Sequence, residues 1–373
     1  MNKFTGLYRD LYPGADDAVY LDVAAVGLIS ARVAEAVSRF AQGHLLRGIA
    51  DDRSREVEML AARQAVAALV GSSPDRISFT QNTSTGLALV VNGIDWVEGD
   101  NIVVPAGEFP SNFYPWTQLR SRGVELREVA MVEGHAPIDA IARATDPRTR
   151  VVALSAVQYS SGHRNDLAGV SQAAAPHGAL VVVDGTQAVG AMRLDCDALG
   201  IDVLAVSAHK WMLGPLGIGF TAMSSRAMHL LRPSTVGWMS VEEPFAFTHE
   251  PQLANDGRRF ESGTANIAGI AGLRQAATQV LELTPDVVEQ HILDCTEELE
   301  ASLVARGWRS LRSADRRRWS GILIATNNED TQDVHNRLVE AGVRCSLRGG
   351  GIRFSPHYYT GSADLEAVLS VLT

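Results

Sequence analysis

Lys210 follows the apolar run Val203-Leu-Ala-Val-Ser-Ala-His and leads into Trp211-Met-Leu-Gly-Pro-Leu-Gly-Ile-Gly219. Upstream, Ala179-Leu-Val-Val-Val-Asp184 ends on an acid. An apolar run closing on an acid predicts a buried strand that delivers a carboxylate at its C-terminal tip. A second strand then brings Ser207, His209 and Lys210 to the same edge, where open α/β sheets bind their ligands. A lysine amine and a buried acid meeting there suit pyridoxal phosphate (PLP), which needs a Schiff-base amine and a partner for its pyridine nitrogen. Either residue alone reads more simply as a surface lysine or a structural acid. Their order and setting together favour the cofactor.

Five further segments follow the same logic of motif and order: Tyr20-Leu-Asp-Val-Ala-Ala25, Asn82-Thr-Ser-Thr-Gly86, Glu108-Phe-Pro-Ser-Asn112, Arg259-Phe-Glu-Ser-Gly-Thr264 and Ile352-Arg-Phe-Ser-Pro-His-Tyr-Tyr359. With the two strands, they make the chain resemble the class V aminotransferase group of fold-type I PLP enzymes. That group includes cysteine desulfurases, kynureninases and isopenicillin N epimerase. Each segment alone is a weak signal; their order through most of the chain is a strong one.

The resemblance implies roles residue by residue. Asp184 keeps the pyridine nitrogen protonated, and Gln187 hydrogen-bonds the ring oxygen. Thr83, Ser84, Ser207 and His209 receive the phosphate, with Thr83 and Ser84 at the start of a helix whose N-terminus suits an anion. Thr264 matches a threonine that reaches the phosphate from a neighbouring subunit, so a homodimer is implied. Phe109 stands where many relatives place a histidine over the ring; its face can stack but cannot shuttle protons. Arg353 matches the arginine that clamps a substrate α-carboxylate with its planar fork. Arg348 matches no family position but lies close by, and reads either as a site for a second acidic group or as a residue facing water. Gln158 and Tyr159, in Val157-Gln-Tyr-Ser-Ser-Gly162, are expected at the ring or substrate, although this turn departs from the relatives' Ser-Asn or His-Asn pair. His163 and Arg164 read either as pocket-mouth residues or as a polar loop.

The elements that must position these groups alternate along the chain. Helices are expected at 30–46, capped by Ser30, and at 54–70, stopped by Gly71. Strands follow at 77–80, 101–104, 124–129, 150–155, 179–184 and 203–207, a rhythm of α/β units around a mainly parallel sheet. After about 255 the pattern changes to helices at 267–283 and 286–306. The second carries Val288, Ile292, Cys295, Leu299 and Leu303 on one stripe. Strands at 321–326, 343–347 and 351–355 and helices at 331–341 and 362–372 complete the chain. The resemblance implies a fold-type I PLP-dependent transferase of two domains. The large one, 20–254, holds a seven-stranded sheet; the smaller α/β one combines 1–19 with 255–373.

At 373 residues the chain has ample interior for a large core. Its net charge of -10 disfavours nucleic acid or anionic membrane as partners. Arg316-Arg-Arg318 reads as a solvated loop. Cys196, Cys295 and Cys345 form neither a zinc pattern nor a disulfide framework, so no metal is expected and a reducing cytoplasm is the natural setting. The N-terminus has no long apolar stretch of the signal-peptide kind, and nothing approaches the roughly 20 apolar residues of a membrane span.

The expected function is therefore that of a PLP enzyme acting on a small-molecule amino-acid substrate, with Lys210 as the base at Cα. Elimination of a thiol from cysteine or an S-substituted cysteine is the favoured outcome; transamination and epimerisation remain open. Desulfurases carry a nucleophilic cysteine on a loop ahead of the arginine. Here only Leu347-Arg-Gly-Gly-Gly-Ile352 separates Ser346 from Arg353, and Cys345 has the alternation of a core strand residue. A non-catalytic PLP-binding regulator is the reading from another class, but no DNA-binding segment fits. Gly214-Pro-Leu-Gly-Ile-Gly219 matches neither nucleotide-binding spacing.

Overall fold

The computed structural model describes residues 5–48 and 52–372. Its centre is a seven-stranded sheet made of β1 (Ile77–Thr80), β2 (Asn101–Pro105), β3 (Glu125–Val129), β4 (Thr149–Ser155), β5 (Leu180–Asp184), β6 (Val203–Ser207) and β7 (Gly219–Met223). The spatial order is β1-β7-β6-β5-β4-β2-β3. Every residue of β2, β5 and β6 is buried, as expected for strands covered on both faces. The sheet is parallel except for β7, which runs antiparallel to both β1 and β6. This reversed strand is absent from the strands expected from sequence. Gly219-Phe-Thr-Ala-Met223 follows a glycine-rich turn and has no length to support a crossover, so the chain folds straight back as a hairpin beside β6.

The parallel register sets Ser155 beside Asp184 at the ends of β4 and β5, with Asp184 beside Ala205 of β6. Three strands thus deliver their C-terminal residues to one edge. Helix Ala31–Arg47 is capped by the Ser30 hydroxyl, which accepts from the Val33 N–H. Helix Thr83–Gly93 starts at a capping box between Asn82 and Thr85.

A second, antiparallel sheet contains β8 (Arg309–Ser310), β9 (Leu323–Thr326), β10 (Ser346–Arg348) and β11 (Gly351–Phe354), in the order β10-β11-β9-β8. β10 and β11 are joined by Gly349 and Gly350, both at positive φ (61° and 82°). That is the geometry of a two-residue hairpin turn, which glycine alone adopts without strain. The expected strand at 343–347 is split: Val343–Arg344 pairs with Val19–Tyr20, and β10 begins at Ser346. An isolated bridge between Asp22 and Ser355 continues this N-terminal contact.

Leu299, Leu303, Leu323, Leu338, Ile352 and Phe354 share one apolar cluster around the smaller sheet. Helix Ile267–Leu283, expected with the smaller domain, instead sends Ile270, Leu273, Ala277 and Val280 into the cluster that packs on the large sheet. The run Arg316–Arg318 forms a short 3-10 turn in which Arg316 and Arg317 are exposed. No helix among the described residues is long and apolar enough to cross a membrane, and no group of metal-ligating side chains occurs among them.

Candidate active site

A cavity of about 390 Å³ opens beyond the C-terminal ends of β4, β5 and β6. Of the residues singled out from sequence, Lys210, Asp184, Gln187, Thr83, Ser84, Phe109, Tyr159, Ser207, His209, Arg348 and Arg353 line it. Gln158 does not. It is fully buried, and its Nε2 donates to Glu108 Oε1 at 2.7 Å. Thr264 is exposed and lies outside the cavity of its own chain.

At the deep end Asp184 is buried, its Oδ1 accepting from the Thr186 N–H at 2.9 Å. Burial pushes its carboxyl up, against the opposing pull of Thr186 and of the Lys210 charge. Burial likewise pushes the Lys210 amine down; Asp184 opposes this, while Arg353 and Arg348 reinforce it. Both shifts run against simple pairing, so desolvation outweighs attraction between the two. A buried acid in this state gains from a cationic N–H placed against it. That is what a pyridinium offers.

Lys210 Nζ lies 5.2 Å from the centroid of the Phe109 ring, a cation–π distance. Tyr159 meets the same ring edge-on at 5.1 Å. Gln187 is held at both ends of its amide. Nε2 donates to the Ala24 carbonyl at 3.0 Å and Oε1 accepts from Trp211 Nε1 at 2.7 Å.

Beside Asp184 lies a cluster of hydroxyls at the start of helix Thr83–Gly93. The Thr83 N–H donates to Ser207 Oγ at 2.9 Å, and Thr83 Oγ1 shares hydrogens with Ser207 Oγ at 2.8 Å and Thr186 Oγ1 at 2.5 Å. The Ser207 N–H donates to Thr186 Oγ1 at 3.2 Å, and Ser84 Oγ to Ser111 Oγ at 2.9 Å. His209 also faces the cavity, its ring pushed below the ordinary histidine range by burial and by Lys210. Rotatable hydroxyls at a helix N-terminus form a donor set suited to a phosphate. With the amine and the buried acid, they fit PLP.

At the opposite end Arg353 is almost wholly buried. Its Nη2 donates to Asp22 Oδ1 at 3.1 Å and to Ser346 Oγ at 3.2 Å, while its buried Nε has no partner. Arg348 stands exposed beside the hairpin turn.

Reasoning from sequence missed Asp22, Glu108, Ser155 and Thr186. Glu108 is buried and accepts from the Ser155 N–H at 2.8 Å, from Ser155 Oγ, from Gln158 Nε2 and from Asn112 Nδ2 at 3.2 Å. Burial pushes its carboxyl up to about 7, with Asp184 adding to the rise. Asp22 and Glu108 sit inside segments already notable for their motifs, and Thr186 lies between Asp184 and Gln187, but spacing alone does not tell a group that touches the cavity from one that braces it.

The Aminotransferase class-V family description matches residues 19–368. A probable cysteine desulfurase of Methanothermobacter thermautotrophicus is 31% identical over 385 residues, covering 96% of this chain and 94% of the relative. Isopenicillin N epimerase of Streptomyces clavuligerus is 28% identical, covering 95% and 94%. Among solved structures, a cystine C–S lyase in complex with its product cysteine persulfide superposes with a TM-score of 0.89 at 25% identity, over 97% of this chain and 98% of the other. A cysteine desulfurase of Escherichia coli superposes with 0.86 at 26% identity, over 98% and 96%. With amine, acid, hydroxyl cradle and arginine gathered in one cavity along the matched length, the chain belongs to the class-V aminotransferase family and is a PLP-dependent enzyme.

Proposed function

We propose that this enzyme cleaves the Cβ–S bond of cysteine or an S-substituted cysteine by β-elimination. The observation that carries the reading is the separation of thiols from the cavity. None of the three cysteines lines it. All are free and buried, and burial pushes the Cys345 thiol up to about 12. A thiol in that state is a poor nucleophile, so sulfur leaves as a thiol rather than being captured by the chain. The relatives named as cysteine desulfurases and as a cystine C–S lyase support sulfur chemistry on a cysteine-like substrate.

PLP, held by Lys210, Asp184 and the hydroxyls of Thr83, Ser84, Thr186 and Ser207, would supply an electron sink for charge developing at the substrate α-carbon. Arg353 binds the α-carboxylate and orients the Cα–H bond. Nζ of Lys210, whose proton affinity burial and the neighbouring Arg353 and Arg348 charges lower, accepts that proton. The Cα–H and Cβ–S bonds break, and the sulfur departs with the C–S electron pair. The released three-carbon enamine takes up one water to give pyruvate and ammonia. Phe109, which lies beside Lys210 Nζ and meets Tyr159 edge-on, carries no acidic group and so supplies no second proton donor of the kind epimerisation needs.

Incubating the holoenzyme with L-cysteine, L-cystine and S-substituted cysteines should release pyruvate in step with a thiol, persulfide or sulfide. A keto acid formed with stoichiometric amination of the cofactor, or a D-amino acid, would replace elimination with transamination or epimerisation. No product from any amino acid would favour a binding regulator.

We further propose a homodimer in which Thr264 serves the neighbouring subunit's cavity; its exposure, away from its own cavity, supports this. A fully active monomer by light scattering would refute it. We also propose the two-domain division, with helix Ile267–Leu283 packing on the core of the large sheet. The free, buried cysteines support a cytoplasmic setting.

A further inference from the structure

The elimination reading leaves the sulfur substituent undefined, and Arg348 constrains it. Arg348 and Arg353 line the same cavity from one hairpin, Arg348 opposite Gly351 beside the turn and Arg353 opposite Ser346. Their surroundings differ. Arg353 is compensated by Asp22. Arg348 has no ion pair or hydrogen bond among the described residues, although three of its neighbours in the cavity wall are charged.

The turn that carries Arg348 is fixed in place. A Cβ on Gly349 would lie 2.3 Å from the Ser160 carbonyl oxygen, so the hairpin tip abuts the Tyr159-Ser160 loop. Arg348 therefore extends from an anchored backbone at the cavity wall. Its charge also opposes those of Lys210 and Arg353. An anion seated against Arg348 removes that repulsion and gains a bidentate contact.

We propose that the preferred substrate carries a second anionic group beyond its sulfur, so that the departing thiol itself bears a carboxylate or a comparable charge. Arg348 receives that group while Arg353 holds the α-carboxylate. The proposal rests on the elimination reading for its leaving group, but the charge requirement has its own binding test.

S-carboxymethyl-L-cysteine and S-carbamoylmethyl-L-cysteine have nearly the same shape and differ by one negative charge. The holoenzyme should favour the carboxylate in kcat/KM by roughly ten- to hundredfold, the size of one charge-assisted contact, and mainly through KM. Arg348→Gln should bring the ratio near one. Arg348→Lys should keep part of it, because the charge remains and the fork is lost. By calorimetry, the holoenzyme should bind glutarate more tightly than butyrate, and Arg348→Gln should remove the difference. Equal kcat/KM for the two cysteine derivatives, or a preference that survives Arg348→Gln, overturns the proposal. If no cysteine derivative yields pyruvate, the elimination reading fails instead. The glutarate and butyrate affinities then decide the charge question alone, and equal affinities overturn it.

Discussion

At the sheet end of the cavity, Thr83, Thr186 and Ser207 hydrogen-bond one another; at the hairpin end, Arg353 leans on a single acid and Arg348 on none. The hydroxyls of the first region are satisfied before any ligand arrives, because rotatable hydroxyls turn toward each other as readily as toward a phosphate. The second cannot satisfy itself, because guanidinium groups only donate. A cofactor that stays bound through many cycles is served by a preorganised cradle. A substrate that must enter and leave is served by charges that find their partner only on binding.

The largest effect should come from breaking the first region at its amine. Lys210→Ala should abolish covalent attachment of the cofactor, read as loss of the borohydride-fixed adduct by peptide mass spectrometry. Turnover should fall by about 10²–10⁴-fold, the usual contribution of a positioned base. A borohydride-stable adduct in that variant would put the attachment elsewhere.

Breaking the second region should cost less and leave the first intact. Arg353→Ala removes charge-assisted hydrogen bonds worth about 1.5–3 kcal/mol each. Turnover should drop by tens to thousands of fold (about 1.4 kcal/mol per decade) with the cofactor absorbance unchanged. Simultaneous loss of cofactor would mean that the two ends are not independent.

A smaller effect sharpens the picture beneath the sheet end. The Glu108 carboxyl is pushed from its ordinary 4.5 to about 7, so the unfolded chain releases this proton first as pH rises. Its contribution to stability is present in full below 4.5 and is lost as pH rises through about 7. In cofactor-free Glu108→Gln that loss is absent. The melting temperature of the variant should therefore gain on the parent between about pH 5 and about pH 8. Melting curves that shift in parallel would show Glu108 to be ionised throughout.

The smallest effect is expected at Cys345→Ala. The side chain belongs to the core around the smaller sheet, so stability should fall by about 1 kcal/mol with turnover nearly unchanged. Abolished activity with a persulfide trapped on Cys345 would restore a desulfurase mechanism.

Much of this arrangement was legible in the chain. Ser30 as a cap, the stripe from Val288 to Leu303 and the buried runs ending at Asp184 and Ser207 follow from local rules of capping and periodicity. The reversed strand Gly219–Met223 was not legible, because a short apolar run has the same pattern in either direction. Gln158 was misjudged for a related reason. It neighbours Tyr159 in sequence, but the turn sends one side chain into the cavity and the other to Glu108 beneath it.

The sequence by itself determined the chemistry on offer: an amine, an acid, a hydroxyl-rich helix start and an arginine, each in or beside a recognisable element. Residue type and local pattern decide those, since a side chain's functional group and its strand or helix period need no distant partner. Tertiary structure alone decided which groups meet. Asp22 lies 331 positions from Arg353 along the chain, and Glu108 lies 47 from Ser155. Their pairing depends on strand order and on the N-terminal segment docking against the smaller sheet. So does the state of each charge, because burial, which outweighs attraction at both Asp184 and Lys210, exists only once the whole chain has packed.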